Sequence, residues 1–262
     1  MSNSNIEEQL IKKFKELHLT SLMSAYTNNR EDLDFLSQPL NKQLLTMLTQ
    51  YEQMAKERRT ERLRKNSGVP NLAYVASIFQ GVNNRNTQSS IELIINSILQ
   101  KQCRPIAISG ATGVGKTYLS MFLVNQIIMN GKPALYTDYQ NVIYSLIEHY
   151  NSRDVYTKKL KQYASNWLLV LDDAFLSDPV SKELEVLKDL LDSFSMLNNL
   201  HSILFSSQLE FSKWFEHFGQ GYVSDAVIDR LTNGVINIDL KGNSKRDRKI
   251  DKIELIANGE KR

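Results

Sequence analysis

Apolar residues near the start of the chain fall at helical spacing. Ile6, Leu10, Ile11, Phe14 and Leu17 predict an amphipathic helix over Ile6–Leu17. A second helix is predicted from about Asn41 to Lys65. In its first half Leu44, Leu45, Leu48 and Tyr51 form the face expected to be buried. In its second half the pattern turns basic, with Arg58, Arg62 and Lys65 recurring at i, i+4 and i+7 on one face. Ser67-Gly68-Val69-Pro70 ends the helix. Residues 1–69 therefore read as a small all-helical N-terminal module. Residues 70–103 read as a linker and lead-in helix, with a short strand at Ala73–Phe79, a polar loop at Asn83–Thr87 and a helix from about Ser89 to Gln102.

From Arg104 the period changes. Short apolar runs at Arg104–Ser109, Lys132–Tyr139, Trp167–Leu171, Ser202–Phe205 and Val235–Leu240 alternate with helical stretches. Tyr118–Met129 forms one such helix. A longer one carries Leu184, Leu187, Leu190, Leu191 and Phe194. Trp167–Leu171 is apolar throughout, as expected of a strand buried on both faces. Strands alternating with helices predict an α/β domain over residues 104–262, built on a covered, mostly parallel five-stranded sheet.

Composition narrows the class. The chain has 262 residues, 42% of them hydrophobic, enough for a sizeable core and inconsistent with a disordered or collagen-like chain. Cys103 is the single cysteine, which excludes a disulfide scaffold and is expected to be a small packing residue in a reducing compartment. No apolar run approaches the ~18 residues of a membrane span. The opening MSNSNIEEQL lacks the layout of a signal peptide, so a cytoplasmic protein is expected. Net charge is only +3, but Ala55–Asn66 and Leu240–Arg262 each carry +4, leaving −5 on the remainder. Basic ends around an acidic middle suggest contact with a polyanion such as DNA, through Arg58, Arg59, Arg62 and Lys65; a solvated helix face and an exposed tail are the alternative.

The most specific signal is Gly110-Ala111-Thr112-Gly113-Val114-Gly115-Lys116-Thr117, followed by Tyr118. It matches G-x-x-x-x-G-K-[ST] between an apolar strand and a helix. Glycines let backbone N–H groups curl around phosphates without Cβ clashes, and the helix start adds its positive dipole end. Lys116 supplies a point charge to the β- and γ-phosphates of ATP, and Thr117 a hydroxyl to Mg²⁺. About fifty residues on, Leu168–Leu171 ends in Asp172 and Asp173. Ligands of open α/β sheets sit at the carboxyl ends of the strands, so Asp172 is expected to hold Mg²⁺ and Asp173 to act as base toward the attacking water. The alternative is that one of the two aspartates caps the following helix near Ser177-Asp178-Pro179. Together the two motifs define a P-loop NTPase.

Other polar groups are less specific. Strand four runs into Ser206-Ser207-Gln208. If it lies between the phosphate-loop strand and the acidic strand, Gln208, or else Ser207, could position the water; a loop-capping cluster is the alternative. Asp225–Leu231 reads as an amphipathic helix with one arginine, Arg230. Arg230 either pairs with Asp225 or Asp229 on its own helix, or is supplied in trans to a neighbour's γ-phosphate. Lys241–Arg246 adds a basic group that could reach the nucleotide. The four histidines are scattered without ligand spacing, and Trp214 and Phe215 are expected in the core.

An ordered set of segments carries a family resemblance: GATGVGKTYLS at Gly110–Ser120, LLVLDDAF at Leu168–Phe175, FSSQLEFSKWFE at Phe205–Glu216, SDAVIDRL at Ser224–Leu231 and LKGNSKR at Leu240–Arg246. FKELHLTSLMSAY at Phe14–Tyr26 and the basic helix join them, so nearly the whole chain is covered. The sequence resembles the IstB-like AAA+ ATPases, helper proteins of insertion-sequence transposition related to DnaC-type helicase loaders. The resemblance implies an AAA+ core with sheet order 5-1-4-3-2, a subunit-bridging role for Arg230 and a second-sensor role for Arg246. It also implies ATP-dependent assembly on duplex DNA and a partner transposase; the alternative is a helicase loader that grips single-stranded DNA and docks a replicative helicase. A third reading is an ATP-gated scaffold that hydrolyses slowly, since Asp173 is one methylene shorter than the glutamate common at that position. Two residues depart from the family pattern. Phe175 replaces the usual glycine after the double Asp, and Ser-Ser-Gln replaces Thr-Ser-Gln.

Overall fold

The computed structural model describes residues 3–70, 85–100, 104–196 and 201–241. Cys103, Arg246 and the strand expected at Ala73–Phe79 lie outside the described residues. Contacts divide the chain into two compact units, Met1–Arg62 and Leu63–Arg262.

The first unit is helical: α1 (Asn3–Glu16), α2 (Thr20–Asn29), α3 (Leu33–Leu36) and most of α4 (Leu40–Lys65). Its small core centres on Phe14, Ala25 and Phe35, with the Phe14 and Tyr26 rings 6.0 Å apart. Asp32 caps α3 by accepting from the Asp34 and Phe35 N–H groups. Asn29 donates to the Ala25 carbonyl and to Gln50, both at 2.6 Å, and ties α2 to α4.

The periodicity located α4 within one residue at its start but misplaced its packing. No residue of α4 is buried. Leu44, Leu45 and Leu48 are 50%, 65% and 55% exposed, and Tyr51 is half-buried. Ile6, Leu17, Leu33, Leu36 and Leu40 of the same unit are likewise exposed, so apolar groups are present in it but do not cover this face of α4.

The second unit is a three-layer α/β sandwich. Its elements after Lys65 are α5 (Arg85–Leu99), β1 (Ile106–Ser109), α6 (Lys116–Met129), β2 (Ala134–Asp138), α7 (Tyr139–His149), α8 (Arg153–Ala164), β3 (Leu168–Asp172), α9 (Ser181–Met196), β4 (Ser202–Ser207), α10 (Trp214–His217), α11 (Tyr222–Thr232) and β5 (Ile236–Asp239). The sheet is fully parallel in the order β2-β3-β4-β1-β5. Read from the other edge this is 5-1-4-3-2, the order the resemblance implied.

Strand alternation sorts the side chains into two cores. Ile106, Ile108, Val170 and Leu204 face α5 and α6. Ala107, Leu169, Leu171 and Phe205 face the layer of α7, α9 and α11. Every residue of β1, β3 and β4 is buried, whereas the edge strand β5 alternates between half-buried and exposed. At the other edge, the Tyr136 N–H of β2 donates to the Ser67 carbonyl at 2.8 Å. The segment following α4 thus occupies part of an otherwise open sheet edge. Leu63 and Val69 pack against the same core cluster as α6.

Candidate nucleotide site

The phosphate loop joins β1 to α6 at the carboxyl end of the sheet. Three of its glycines have φ in the left-handed range: Gly110 at 148°, Gly113 at 84° and Gly115 at 111°. Their roles differ. A Cβ on Gly110 would lie 2.5 Å from the Leu240 carbonyl oxygen, so that glycine lets the loop pass β5. A Cβ on Gly115 would meet nothing within 4 Å and would project into open space at the N-cap of α6. That is where a phosphate would meet the helix N-terminus. Lys116 is buried, at 6% exposure, and its Nζ donates to the Gly110 and Ala111 carbonyls at 2.7 and 3.0 Å.

Beside the loop, Asp172 ends β3. Its Oδ2 accepts from the Thr117 hydroxyl at 2.8 Å and from the Tyr136 hydroxyl at 2.5 Å. Its Oδ1 is buried without a hydrogen-bond partner. A buried carboxylate oxygen left without a donor, next to a threonine hydroxyl and an open phosphate cradle, suits a hard cation. Thr117 and Asp172 are the residues that would hold Mg²⁺. Among the described residues there is no larger His, Cys, Asp or Glu cluster suited to a metal, as expected where phosphates and water complete the shell. The bonds of Asp172 run to Thr117 and Tyr136 rather than to the start of α9, so it is not a helix cap.

Tyr136 belongs to no sequence motif. Burial first, then the hydrogen bond and charge of Asp172 and the charge of Asp173, push its phenol pKa well above the ordinary range. It remains a hydrogen-bond donor throughout the working pH range. The signal for it is register. Tyr136 pairs with Val170, so Asp172 is its diagonal neighbour on the same sheet face, within reach of a tyrosine.

Asp173 and Phe175 follow β3 with φ of 50° and 61°. Left-handed backbone costs a non-glycine residue roughly 1–2 kcal/mol, and Phe175 stands where the resemblance implies glycine. The compensation is aromatic. Phe175 is 4% exposed, and its ring lies 4.7 Å from Trp214, 4.9 Å from Phe218, 5.1 Å from Tyr139 and 5.4 Å from Phe205. Full burial of such a side chain contributes about 1.5–3 kcal/mol. Between the two strained residues, the Ala174 N–H donates to the Ser206 carbonyl at 2.8 Å, and the Ser207 hydroxyl donates to the Ala174 carbonyl at 2.7 Å. The loop carrying Asp173 is therefore fixed to β4.

This also separates the two candidates after β4. The hydroxyl of Ser207 is committed to Ala174, whereas Gln208 is exposed and its Oε1 accepts from Thr112 of the phosphate loop at 2.7 Å. β4 lies between β3 and β1, as the placement of Gln208 requires. Trp214 is in the core, but Phe215 is 45% exposed, contrary to expectation: the helix that carries both is a single turn, and Trp214 takes its inner face.

Arg230 lies elsewhere. It lines a shallow pocket with Arg104, Pro105 and Ile203, at the amino ends of β1 and β4. Its Nε pairs with Asp192 of α9, and its Nη1 donates to the Ala226 carbonyl at 2.8 Å. Asp192 also accepts from Lys188 at 2.9 Å. The within-helix pairs with Asp225 or Asp229 are not formed; the counter-ion comes from a different helix. Of the basic stripe, Arg58, Arg59, Arg62 and Lys65 are all exposed, and Arg58 also donates to the Thr20 hydroxyl at 2.5 Å.

The parallel sheet, the phosphate loop and Asp172 define an AAA+ ATPase of the P-loop class. The sequence profile of the IstB-like ATP binding protein family matches residues 12–252, and this chain belongs to that family. Among similar proteins, a putative insertion sequence ATP-binding protein of Sinorhizobium fredii, y4uH, is 23% identical over 88% of this chain and 92% of its own length. A second from the same organism, y4pL, is 30% identical over 54% of this chain and 56% of its own. The chain thus matches little more than half of that second relative. Among solved structures, AMPPCP-bound DnaA from Aquifex aeolicus superposes with a TM-score of 0.51 at 20% identity, over 69% of this chain and 55% of that one. Replication initiator DnaA bound to AMPPCP and single-stranded DNA superposes at 0.50 and 20% identity, over 62% and 48%. These structures share the fold. Among the described residues, no helix is long and apolar enough to cross a membrane.

Proposed function

We propose that this chain is an ATP-hydrolysing, DNA-binding helper of insertion-sequence transposition, which assembles on duplex DNA and assists a transposase at its target. One observation carries the assembly: the nucleotide site lies at the carboxyl end of the sheet, while Arg230 lies at the amino end. The strand between them spans about 13 Å at ~3.3 Å per residue. Arg230 therefore serves the γ-phosphate of a neighbouring copy, exchanging Asp192 for phosphate oxygens as subunits pack.

Within each site, Lys116 turns its ammonium from the loop carbonyls to the β- and γ-phosphates. Thr117 and Asp172 would hold Mg²⁺, which would supply charge neutralisation for the phosphates when bound. Asp173 accepts a proton from the attacking water, and Gln208, at the lip of the loop beside Thr112, orients that water. Tyr118 and Arg246 belong to the nucleotide-binding set that the family resemblance implies. The exposed basic face of α4, with Arg58, Arg59, Arg62 and Lys65, contacts DNA phosphates without reading sequence. The transposition context rests on the family and on the insertion-sequence relatives.

The test is fluorescence anisotropy with duplex and single-stranded probes, in ATP, in ADP and without nucleotide. The expected result is cooperative, ATP-dependent binding that prefers duplex, is lost in Arg230→Ala, and weakens steeply between ~50 and 200 mM salt. Preference for single strands, or binding indifferent to nucleotide, would overturn this reading in favour of a loader that docks a replicative helicase.

A further inference from the structure

We propose that Tyr136 is a positioning residue for the magnesium carboxylate, and that the chain leaving α4 sets its place. The inference rests on the assignment of Mg²⁺ to Thr117 and Asp172. Three features of the second unit support it.

The first is the hydrogen bond. Tyr136 donates to the same oxygen, Asp172 Oδ2, that accepts from Thr117. With Oδ2 held by two hydroxyls, the carboxylate plane is fixed and Oδ1, buried and without a partner, is the oxygen left for the metal. A group that orients a ligand in this way acts on metal affinity through geometry, without touching the metal.

The second is that, among the described residues, no other side chain donates a hydrogen bond to the Asp172 carboxylate. Asp138, its in-register partner on β2, accepts instead from the Asn141 N–H and caps α7. The orientation of Asp172 thus depends on Thr117, itself a proposed ligand, and on Tyr136.

The third is the seat of Tyr136. Its peptide is clamped from the open edge of the sheet: its N–H donates to Ser67, and Gly68, at φ 71°, lies against its carbonyl. A Cβ on Gly68 would come within 2.2 Å of the Tyr136 oxygen, so only glycine fits. Ser67 is fully buried and its hydroxyl donates to Arg64 at 2.7 Å, which joins this clamp to the last turn of α4. A displacement of that turn would therefore be felt at Tyr136 and, through its hydroxyl, at Asp172. Ser67 and Gly68, just after the last turn of α4, thus border the strand whose tyrosine orients the metal ligand.

The experiment is a Mg²⁺ titration of fluorescent-ATP binding, with thermal unfolding as control. In Tyr136→Phe, which keeps the ring and removes the hydroxyl, half-saturating Mg²⁺ is expected to rise roughly 10-fold, with nucleotide affinity in EDTA and Tm unchanged. A ring that only packs would leave the Mg²⁺ dependence untouched. Gly68→Ala, which retains the hydroxyl and displaces its peptide, is expected to shift Mg²⁺ dependence in the same direction; it carries the test should Tyr136→Phe fold poorly. If both variants bind Mg²⁺ like the wild type, the positioning role is overturned. If the wild type itself binds nucleotide equally with Mg²⁺ and EDTA, the metal assignment falls and the inference with it.

Discussion

The two ends of the parallel sheet hold opposite kinds of chemistry. At the carboxyl end, acceptors and donors are held ready for a ligand: Lys116 occupied by loop carbonyls, Thr117 and Tyr136 on one oxygen of Asp172, the other oxygen unpartnered. At the amino end, Arg230 is satisfied within the chain, between Asp192 and the Ala226 carbonyl. Arg230 lies at the end of the sheet opposite to the phosphate loop. On the proposed function, such a split leaves each chain's site to be completed by a second copy. The ion pair at the amino end also keeps the guanidinium in place: Lys188 and Arg230 share Asp192, and their hydrogen bonds more than offset burial, lowering its pKa.

The largest effect expected on this division comes from Arg230→Ala. ATP turnover in the assembled state should fall by about 10³–10⁵, while nucleotide affinity of the unassembled chain stays near wild type. A comparable loss of nucleotide affinity would place Arg230 in its own subunit's site. Next is Asp173→Asn, for which turnover should fall about 10²–10⁴-fold with ATP binding retained, leaving assemblies trapped on DNA. Rapid turnover by this variant would reassign the base. Lys116→Ala should weaken nucleotide binding about 100-fold, the equivalent of one charge-assisted contact of ~3 kcal/mol, as read by equilibrium titration. Retained affinity would mean that the loop backbone alone holds the phosphates.

The smallest effect expected is a difference between two substitutions of Phe175 at the carboxyl end. Phe175→Ala should lower stability in urea unfolding by about 3–5 kcal/mol through loss of the aromatic cluster. Phe175→Gly should be milder by roughly 1 kcal/mol, because glycine relieves the φ of 61°. If glycine proves the worse of the two, the strained conformation is not what the family's glycine serves.

What was legible in the sequence was what is local. The phosphate loop and the acidic strand end are contiguous segments whose residue types are dictated by backbone geometry, and both are found where their spacing predicted. Strand order followed from resemblance, since periodicity alone does not rank strands across a sheet. Helices α7 and α8 went unread between β2 and β3, although Val142, Ile143 and Leu146 of α7 are buried at helical spacing. Contacts across long separations were invisible. The partner of Arg230 is 38 residues away on another helix, and the bond from Tyr136 to Asp172 depends on the register of two strands. In α4 the pattern misled for the opposite reason: an apolar face requires an opposing apolar surface, and Leu44, Leu45 and Leu48 have little of it.

The central claim, that one chain supplies Arg230 to the site of another, is tested most directly by mixing two inactive variants, Asp173→Asn and Arg230→Ala. Each retains what the other lacks. The account predicts that ATP turnover, negligible in either alone, reappears on mixing in the presence of DNA, from interfaces that join an intact Asp173 to an intact Arg230. A mixture that stays as inactive as its components, although the two variants co-assemble, would contradict it.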